Sequence, residues 1–215
     1  MNKFLLITRP EHDQTTRYLS YWSKKIIEEA EGRGVSVIDL HKKKANRKRT
    51  IGILKKKSPE LILFNGHGNE NCVTGHDNEP ILTENDREVF NSNIIFSRSC
   101  KSAKVLGPLS VKYGAKAFLG YREDFWLMYN ADKISRPLED KTAVLFLEPS
   151  NSVVISLLKG HKTGDANEKG RNLFKKNIEK LLVSGPSADD YSAIKYLYWN
   201  MINQVCLGDK EAKFI

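Results

Sequence analysis

A histidine and a cysteine each follow a short apolar segment in the middle of the sequence. Residues 61–64 are apolar and run into Asn65, Gly66, His67 and Gly68. Residues 94–97 run into Arg98, Ser99 and Cys100 in the same way. If the two segments are neighbouring buried strands, the imidazole and the thiol lie at one edge of a sheet, within reach of each other. A base beside a thiol is the arrangement that nucleophilic catalysis by cysteine requires.

Two main-chain N–H groups are candidates for holding the oxyanion that such an attack creates. They belong to Gly68 and Cys100, which flank the predicted site. Glycine has no side chain, so we expect a substrate backbone to come close to Gly68. A helix beginning directly after Cys100 would place a positive dipole end near the sulfur and favour the thiolate.

The elements that position these residues alternate between strand and helix patterns. Short apolar runs, bounded by glycine, proline and charge, occupy residues 4–8, 35–40, 61–65, 94–97 and 117–121. Runs of this length are typical of strands that are buried on both faces of a parallel sheet. Between the first two runs an apolar stripe at helical spacing begins near Asp13 or Thr15, either of which can cap it. We therefore expect an α/β three-layer sandwich with a mainly parallel sheet.

The last third of the sequence has a helical character. Apolar residues recur at helical spacing over residues 166–182 and again over 191–205, and residues 153–158 suggest a shorter helix behind Pro149. The second stripe includes Cys206 at its end, which we expect to be a core residue. These patterns predict an α/β core over residues 1–149 and a helical C-terminal extension over residues 150–215 that packs on it.

The order of these segments resembles the caspase-like cysteine peptidases of clan CD, and most closely their prokaryotic CHAT-type branch. The resemblance covers roughly residues 1–125 and is carried by residues 61–68, 94–100 and 115–121, with a helix ending at Gly114. It implies a caspase–haemoglobinase fold and a cysteine endopeptidase whose dyad is His67 and Cys100. The caspase signature Gln-Ala-Cys-x-Gly is absent, because Cys100 is preceded by Arg98 and Ser99.

Charged residues beside the predicted site bear on the substrate. Arg9, Arg98 and Arg122 follow three of the predicted strands. Bidentate recognition of a carboxylate by arginine suits an acidic or polar residue before the cleaved bond, which is the preference we expect. The opposite preference, for lysine or arginine, stays open because acidic residues occupy the same rim: Asp13, Asp77, Glu123 and Asp124.

Cys72 and His76 lie in the loop after the third predicted strand and offer alternatives. Cys72 is the rival nucleophile, but it does not follow a strand directly. A metal site made of His67, Cys72 and His76 matches no standard zinc spacing. The sequence therefore predicts neither a metal nor a cofactor.

The net charge of +9 comes from one segment and points to a second function class. Nine lysines and arginines lie in residues 42–57 without an acid between them, and the remaining 26 basic residues balance 26 acidic ones. The alternative function is a non-catalytic α/β module that binds an anionic partner through residues 42–57. No aromatic residue interleaves the basic ones, so base stacking and nucleic-acid binding are not favoured.

The compartment and the partners follow from composition. Three unclustered cysteines suit a reducing cytoplasm, and the apolar run at residues 4–7 is too short for a secretory signal peptide. No apolar stretch reaches the roughly 18 residues of a membrane span. We expect a cytoplasmic protein whose partners are a protein or peptide substrate and a regulatory protein.

Overall fold

The computed structural model describes residues 3–184 and 187–214, and a central sheet of six strands organises them. The strands of this sheet are β1 (Phe4–Arg9), β2 (Ser36–His41), β3 (Leu61–Asn65), β6 (Ile94–Arg98), β7 (Ala117–Tyr121) and β8 (Gln204–Gly208). A separate antiparallel hairpin consists of β4 (Cys72–Thr74) and β5 (Pro80–Thr83). The order across the main sheet is β2-β1-β3-β6-β7-β8, and only β8 runs antiparallel to its neighbour.

Helices connect and cover the strands. They are α1 (Gln14–Trp22), α2 (Lys24–Gly32), α3 (Arg47–Lys57), α4 (Leu106–Lys112), α5 (Lys141–Leu158), α6 (Thr163–Val183) and α7 (Ala188–Asn203). Helix α1 begins at Asp13, whose side chain accepts a hydrogen bond from the main-chain N–H of Thr16. Asp13 is thus the N-cap, one of the two residues that the sequence indicated.

Alternate residues along each strand face opposite helical layers. One face of the sheet packs against α2 and α5 through Leu5, Ile7, Leu61, Leu63, Ile94, Phe96, Ala117 and Leu119. The other face packs against α3 and α4 through Leu6, Ile62, Phe64, Ile95 and Phe118. Because both faces are covered, each of these strands is apolar throughout and not only at every second residue. The predicted three-layer sandwich with a mainly parallel sheet is confirmed.

The predicted division at residues 149 and 150 does not match the structure. Helix α5 continues from Lys141 to Leu158 without a break at that point. The chain after the division also returns to the main sheet, because β8 pairs with β7 from Ala117 to Tyr121. The C-terminal third is therefore part of the sandwich, and the apolar pattern near Cys206 belongs to a strand instead of a helix.

Pro149 lies inside α5, whereas the sequence pattern suggested a shorter helix that begins behind it. Proline has no N–H to donate to the carbonyl four residues earlier, which is that of Leu145. Here Nδ2 of Asn177 in α6 donates to the Leu145 carbonyl oxygen at 2.8 Å. A side chain from a neighbouring helix thus replaces the missing hydrogen bond, which allows α5 to continue through the proline.

No helix within the described ranges is both long enough and apolar enough to cross a membrane.

Candidate active site

The strands that lead to His67 and Cys100 are adjacent and parallel. In the register of β3 and β6, Asn65 lies opposite Arg98, and His67 and Cys100 each follow two residues beyond that pair. Neighbouring strands are about 4.8 Å apart, so the two segments leave the carboxyl edge of the sheet side by side. This is the edge at which α/β proteins bind their ligands.

The loop that carries His67 is shaped by the glycines on both sides of it. Gly66 has a φ of +150°, and a β-carbon there would lie 2.1 Å from the carbonyl oxygen of Thr74. A β-carbon on Gly68 would lie 2.6 Å from the carbonyl oxygen of Cys72 and 3.0 Å from Cβ of Ser99. The space beside Gly68 is thus filled by the protein itself, so packing of the loop against Ser99 explains this glycine.

Asp13 holds the imidazole of His67. Its Oδ2 lies 2.6 Å from Nε2 of His67. An ionised carboxylate can only accept, so Nε2 carries the hydrogen of this bond and Nδ1 is left with the lone pair of the neutral ring. Nδ1 of His67 makes no hydrogen bond to another residue of the described structure. It is therefore the nitrogen available to exchange a proton with a reacting group.

The pKa of the Asp13 carboxyl lies below its ordinary value. Partial burial of the group works against ionisation, but the hydrogen bonds from the main-chain N–H of Thr16 and from His67 outweigh it. Asp13 is consequently ionised at neutral pH, as its contact with Nε2 requires. The sequence placed Asp13 at the rim and at a helix start, but no local pattern indicated that it would contact His67.

The thiol of Cys100 is neutral in this conformation. Burial raises its pKa and the carboxylate of Asp124 raises it further, while the main-chain N–H of Phe125 acts in the opposite direction. The expected helix dipole is missing, because the chain continues in turns after Cys100 and α4 begins only at Leu106. The expectation of a thiolate favoured by a helix start is therefore wrong for this state.

The turn after Cys100 is held in a strained conformation. Lys101 has a φ of +55°, which is uncommon for a residue other than glycine. Its main-chain N–H donates to the carbonyl oxygen of Glu123 at 3.1 Å, and that of Ala103 donates to the carbonyl oxygen of Tyr121 at 3.0 Å. The end of β7 thus fixes the turn. Strain of this kind is concentrated at functional sites.

The two N–H groups suggested for oxyanion binding have no protein partner. Neither the main-chain N–H of Gly68 nor that of Cys100 donates a hydrogen bond to any residue that the structure describes. Both are therefore able to donate to a substrate oxygen.

His67 and Cys100 are not hydrogen-bonded to each other. No hydrogen bond joins their side chains in the part of the chain that the structure describes. The sulfur interacts with Asp124 and Phe125 instead. Catalytic hydrogen bonds are often open before substrate binds.

Arg98, which was expected to bind substrate, is inaccessible. Its side chain is completely buried and donates to Oδ1 of Asn65 at 2.7 Å, Oδ1 of Asn151 at 2.6 Å and Oγ of Ser23 at 2.6 Å. Burial lowers the pKa of Arg98 to about 10. The prediction for Arg98 is wrong, because a side chain at the end of a central strand points into the sandwich. Its three hydrogen bonds connect the end of β6 to Asn65, Asn151 and Ser23.

The other residues predicted to bind substrate are Arg9, Arg122 and Asp124, and they differ in exposure. Arg9 is buried and forms a two-point contact with Asp39 at 2.5 and 2.9 Å, so its predicted role in substrate binding is also wrong. Arg122 is exposed. Asp124 lies beside the Cys100 thiol and 3.6 Å from Nζ of Lys101. An acidic side chain therefore interacts with the sulfur.

Cys72 and His76 belong to the β4–β5 hairpin and its connecting turn. Cys72 lies in β4 opposite Thr83, and burial raises the pKa of its thiol. His76 accepts a hydrogen bond at Nδ1 from the main-chain N–H of Glu11. His12, which the sequence did not single out, lies between the other histidines, with its ring centroid 6.0 Å from that of His67 and 5.4 Å from that of His76.

Sequence comparison identifies no relative of this chain. No model of a known protein family matches it, and no curated protein matches it either.

Structural comparison shows a fold shared with cysteine peptidases. The chain is similar to the Arg specific cysteine proteinase gingipain R, with a TM-score of 0.65 and 12% identity over 98% of this chain. It is also similar to the complex of Porphyromonas gingivalis RgpB pro- and mature domains, with a TM-score of 0.61 and 11% identity over 97% of this chain. In both cases it spans 47% of the other chain, about half its length. The chain therefore shares the fold of these cysteine proteinases.

Proposed function

We propose that this chain is a cysteine endopeptidase domain in which Cys100 is the nucleophile, His67 the acid–base catalyst and Asp13 a positioning residue. One observation carries the proposal. The imidazole that Asp13 holds at 2.6 Å stands at the end of β3, and the neighbouring strand β6 ends at Cys100 in matching register. The shared fold supports a peptidase.

The mechanism follows from the ring nitrogen of His67 that Asp13 leaves free, which is Nδ1. Nδ1 of His67 accepts the proton of the Cys100 thiol, and the thiolate forms a bond to the carbonyl carbon of the substrate. The oxyanion accepts hydrogen bonds from the N–H groups of Gly68 and Cys100. Nδ1–H then protonates the leaving amine as the C–N bond breaks. Finally His67 removes a proton from water and the hydroxide adds to the thioester carbonyl. The C–S bond then breaks, the carboxylic acid product leaves, and His67 returns the proton to the thiolate.

Substrate binding has to change the surroundings of the thiol. In the described state burial raises the pKa of the Cys100 thiol, and the carboxylate of Asp124 raises it further. A cationic substrate group next to Asp124 would neutralise this carboxylate and release the sulfur toward His67. Activation would then depend on occupation of the site, and the free domain would be a weak nucleophile.

The substrate preference is revised by the same contacts. Arg9 and Arg98 are buried, which removes two of the three arginines behind the expected acidic preference. Asp124 remains at the thiol, and gingipain R is described as Arg specific. The proposal is therefore a basic residue before the cleaved bond. A peptide series that varies only this residue tests it, and stronger cleavage after glutamate than after arginine would contradict it.

The catalytic assignment is tested by substitution at the nucleophile. Cys100→Ala should abolish hydrolysis of a fluorogenic peptide library, because it removes the sulfur on which the proposed thioester forms. Cys72→Ala is the matched control, since it removes the rival thiol, which lies in β4 and not at the end of a strand of the main sheet. Mass-spectrometric alkylation gives a second readout. Full activity in Cys100→Ala would exclude the nucleophile.

The basic segment remains a second candidate function. Arg47, Lys55 and Lys42 form ion pairs with Asp86, Glu88 and Glu11. The other six basic side chains of residues 42–57 form none with the described residues. A partner bound there should be lost with rising salt. Charge reversal at Lys48 and Arg49 should remove that binding and spare peptide hydrolysis.

The finer predictions about context belong with this proposal. A regulatory protein partner is supported by the pro-domain complex of the structural neighbour. Membership of the CHAT-type branch and the cytoplasmic location remain predictions from the sequence. Nucleic-acid binding, which the lack of aromatic residues in the basic segment does not favour, stays open.

A further inference from the structure

We propose that His12, Asp13 and His67 form a binding site for a divalent transition metal ion, with Zn²⁺ as the best fit. One ligand atom from each side chain can be chosen so that all three lie within 4.8 Å of one another. The two imidazoles and the carboxylate come from the turn after β1 and the loop after β3. No short sequence motif announces the site, because the ligands are 54 residues apart.

The chemistry of the donor set favours zinc. Two histidine nitrogens and one carboxylate oxygen, with a fourth position for water, are a common ligand set of tetrahedral zinc. Calcium and magnesium prefer oxygen ligands only. These ligands differ from the set His67, Cys72 and His76 that the sequence offered as an alternative, because Cys72 lies in β4.

Two of the three distances between ligand atoms require little rearrangement, and the third, between the two histidines, is within 4.8 Å. Ligand atoms of a tetrahedral zinc ion are about 3.3 Å apart when the bonds are about 2.0 Å long. Nε2 of His12 lies 3.6 Å from Oδ2 of Asp13, which is close to that spacing. Nε2 of His67 lies 2.6 Å from the same oxygen because a proton joins them. For a metal ion to replace that proton, Nε2 of His67 and Oδ2 of Asp13 have to move apart by less than about 1 Å.

The scaffold holds the ligands on well-fixed elements. Strands β1 and β3 are paired from Leu5–Leu61 to Ile7–Leu63, so the turns that follow them are adjacent. Asp13 is also fixed as the N-cap of α1. The side chain of His12 is 11% exposed and that of His67 is 41% exposed, which leaves the site open to water on the His67 side.

The protons can be arranged to free both nitrogens. Nδ1 of His12 is buried without a hydrogen-bond partner, so no neighbour fixes the tautomer from that side. Nε2 of His12 has one neighbour, Oδ1 of Asn78 at 3.1 Å, on an exposed residue that is able to move aside. When a metal ion binds Nε2 of His67, the proton of that nitrogen is replaced and Nδ1 carries the ring hydrogen.

A metal ion bound to His67 would inhibit catalysis, an effect that rests on the proposed peptidase function. A metal-bound His67 presents Nδ1–H and no lone pair, so it cannot accept the proton of Cys100. Zinc should therefore inhibit the peptidase reversibly without touching the thiol. His12 would be the residue that adds this property, since the peptidase mechanism itself does not use it.

Direct metal binding tests the site without relying on activity. Zinc sulfate is titrated calorimetrically into the Cys100→Ala variant, which cannot bind zinc through that sulfur. We expect one ion per chain, and at least a tenfold weaker affinity when His12→Ala is added. His161→Ala in the same background is the matched control, because this exposed histidine lies outside the cluster. Equal affinity in the two double variants would overturn the proposal.

Thermal unfolding guards against a loss of fold in the variants. Zinc should raise the unfolding temperature of Cys100→Ala and of its His161→Ala derivative, and at the same zinc concentration should raise that of the His12→Ala derivative clearly less. An equal zinc-dependent rise without His12 would show that the ion binds elsewhere, which contradicts the site.

The activity arm separates this inference from the function on which it rests. For the chain with Cys100 intact, the zinc concentration that halves the rate should increase at least tenfold in His12→Ala, each variant being compared with its own metal-free rate. Chelation should restore the rate. If inhibition is the same with and without His12, the regulatory role fails while the peptidase function stands. If no peptide is cleaved at all, the peptidase function fails, and the calorimetric result alone decides the metal site.

Discussion

The carboxylate of Asp13 lies 2.6 Å from Nε2 of His67, although the two residues are 54 positions apart in the chain. They meet because β1 and β3 are neighbours in the sheet and both turns leave its carboxyl edge. The same carboxylate caps α1, so its position is fixed from two directions. A histidine oriented in this way has one defined nitrogen for proton transfer.

Asp13→Asn should separate this orienting role from helix capping. Asparagine caps a helix about as well as aspartate, so the fold should be retained. The amide cannot hold a proton on Nε2 as a carboxylate does, so peptide hydrolysis should fall on the order of 10²-fold. Steady-state kinetics measure the loss. Asp190→Asn, in the N-terminal capping box of α7, is a matched control that should keep full activity.

The same carboxylate predicts how stability depends on pH. The pKa of Asp13 is lower in the folded protein than in the unfolded chain. Its contribution to the free energy of unfolding is therefore fully present above the unfolded pKa of about 3.9 and is lost as the pH falls through the folded pKa. The stability difference between the native protein and Asp13→Asn should shrink below about pH 4. A difference that does not shrink as the pH falls below about 4 would contradict the assignment.

Asp124→Asn should make the thiol of Cys100 more reactive. The carboxylate raises the pKa of the thiol, and the amide removes this effect, so a larger fraction is thiolate at neutral pH. Alkylation of Cys100 by iodoacetamide should accelerate severalfold, and its pH dependence should move to lower pH. Glu123→Gln is the control, because Glu123 pairs with Lys104 and does not act on the thiol. An unchanged rate in Asp124→Asn would show that burial alone keeps the thiol neutral.

Arg98→Met should destabilise the fold. The substitution removes the donor of three buried acceptors, on Asn65, Asn151 and Ser23, and each unpaired acceptor costs about 1–3 kcal/mol. We expect a loss of about 3 kcal/mol or more in the free energy of unfolding, measured by urea denaturation. The control is Arg33→Met, which removes an exposed pair with Glu29 and should cost at most about 1 kcal/mol. A neutral Arg98→Met would mean that the burial of an unpaired charge offsets its hydrogen bonds.

Asn177→Ala should weaken α5 only because of the proline within that helix. The substitution leaves the partly buried carbonyl of Leu145 without its donor, at a cost of about 1–2 kcal/mol. In a Pro149→Ala background the new N–H at position 149 can donate to the same carbonyl, so the cost of Asn177→Ala should largely disappear. A double-mutant cycle on the free energy of unfolding measures this coupling. Equal costs in both backgrounds would refute the compensation.

The sequence by itself determined the sheet and the ends of its strands. Strands buried on both faces must be apolar along their whole length, so five of the six could be recognised as short apolar runs. The glycines beside His67 and the position of Cys100 just after its apolar run then indicated which residues stand at the edge. These signals are local, because each depends on residues that are close in the chain.

Only the tertiary structure decided which side chains meet. The contact of Asp13 with His67, the burial of Arg98 and the bond from Asn177 that carries α5 through Pro149 all join distant segments. Residues 204–208 have a pattern that continues the preceding helix, and they form a strand because β7 offers an unpaired edge. The physical reason is common to all four cases. The partner that satisfies a charge, a carbonyl or a strand edge is supplied by packing, which neighbouring residues in the sequence do not specify.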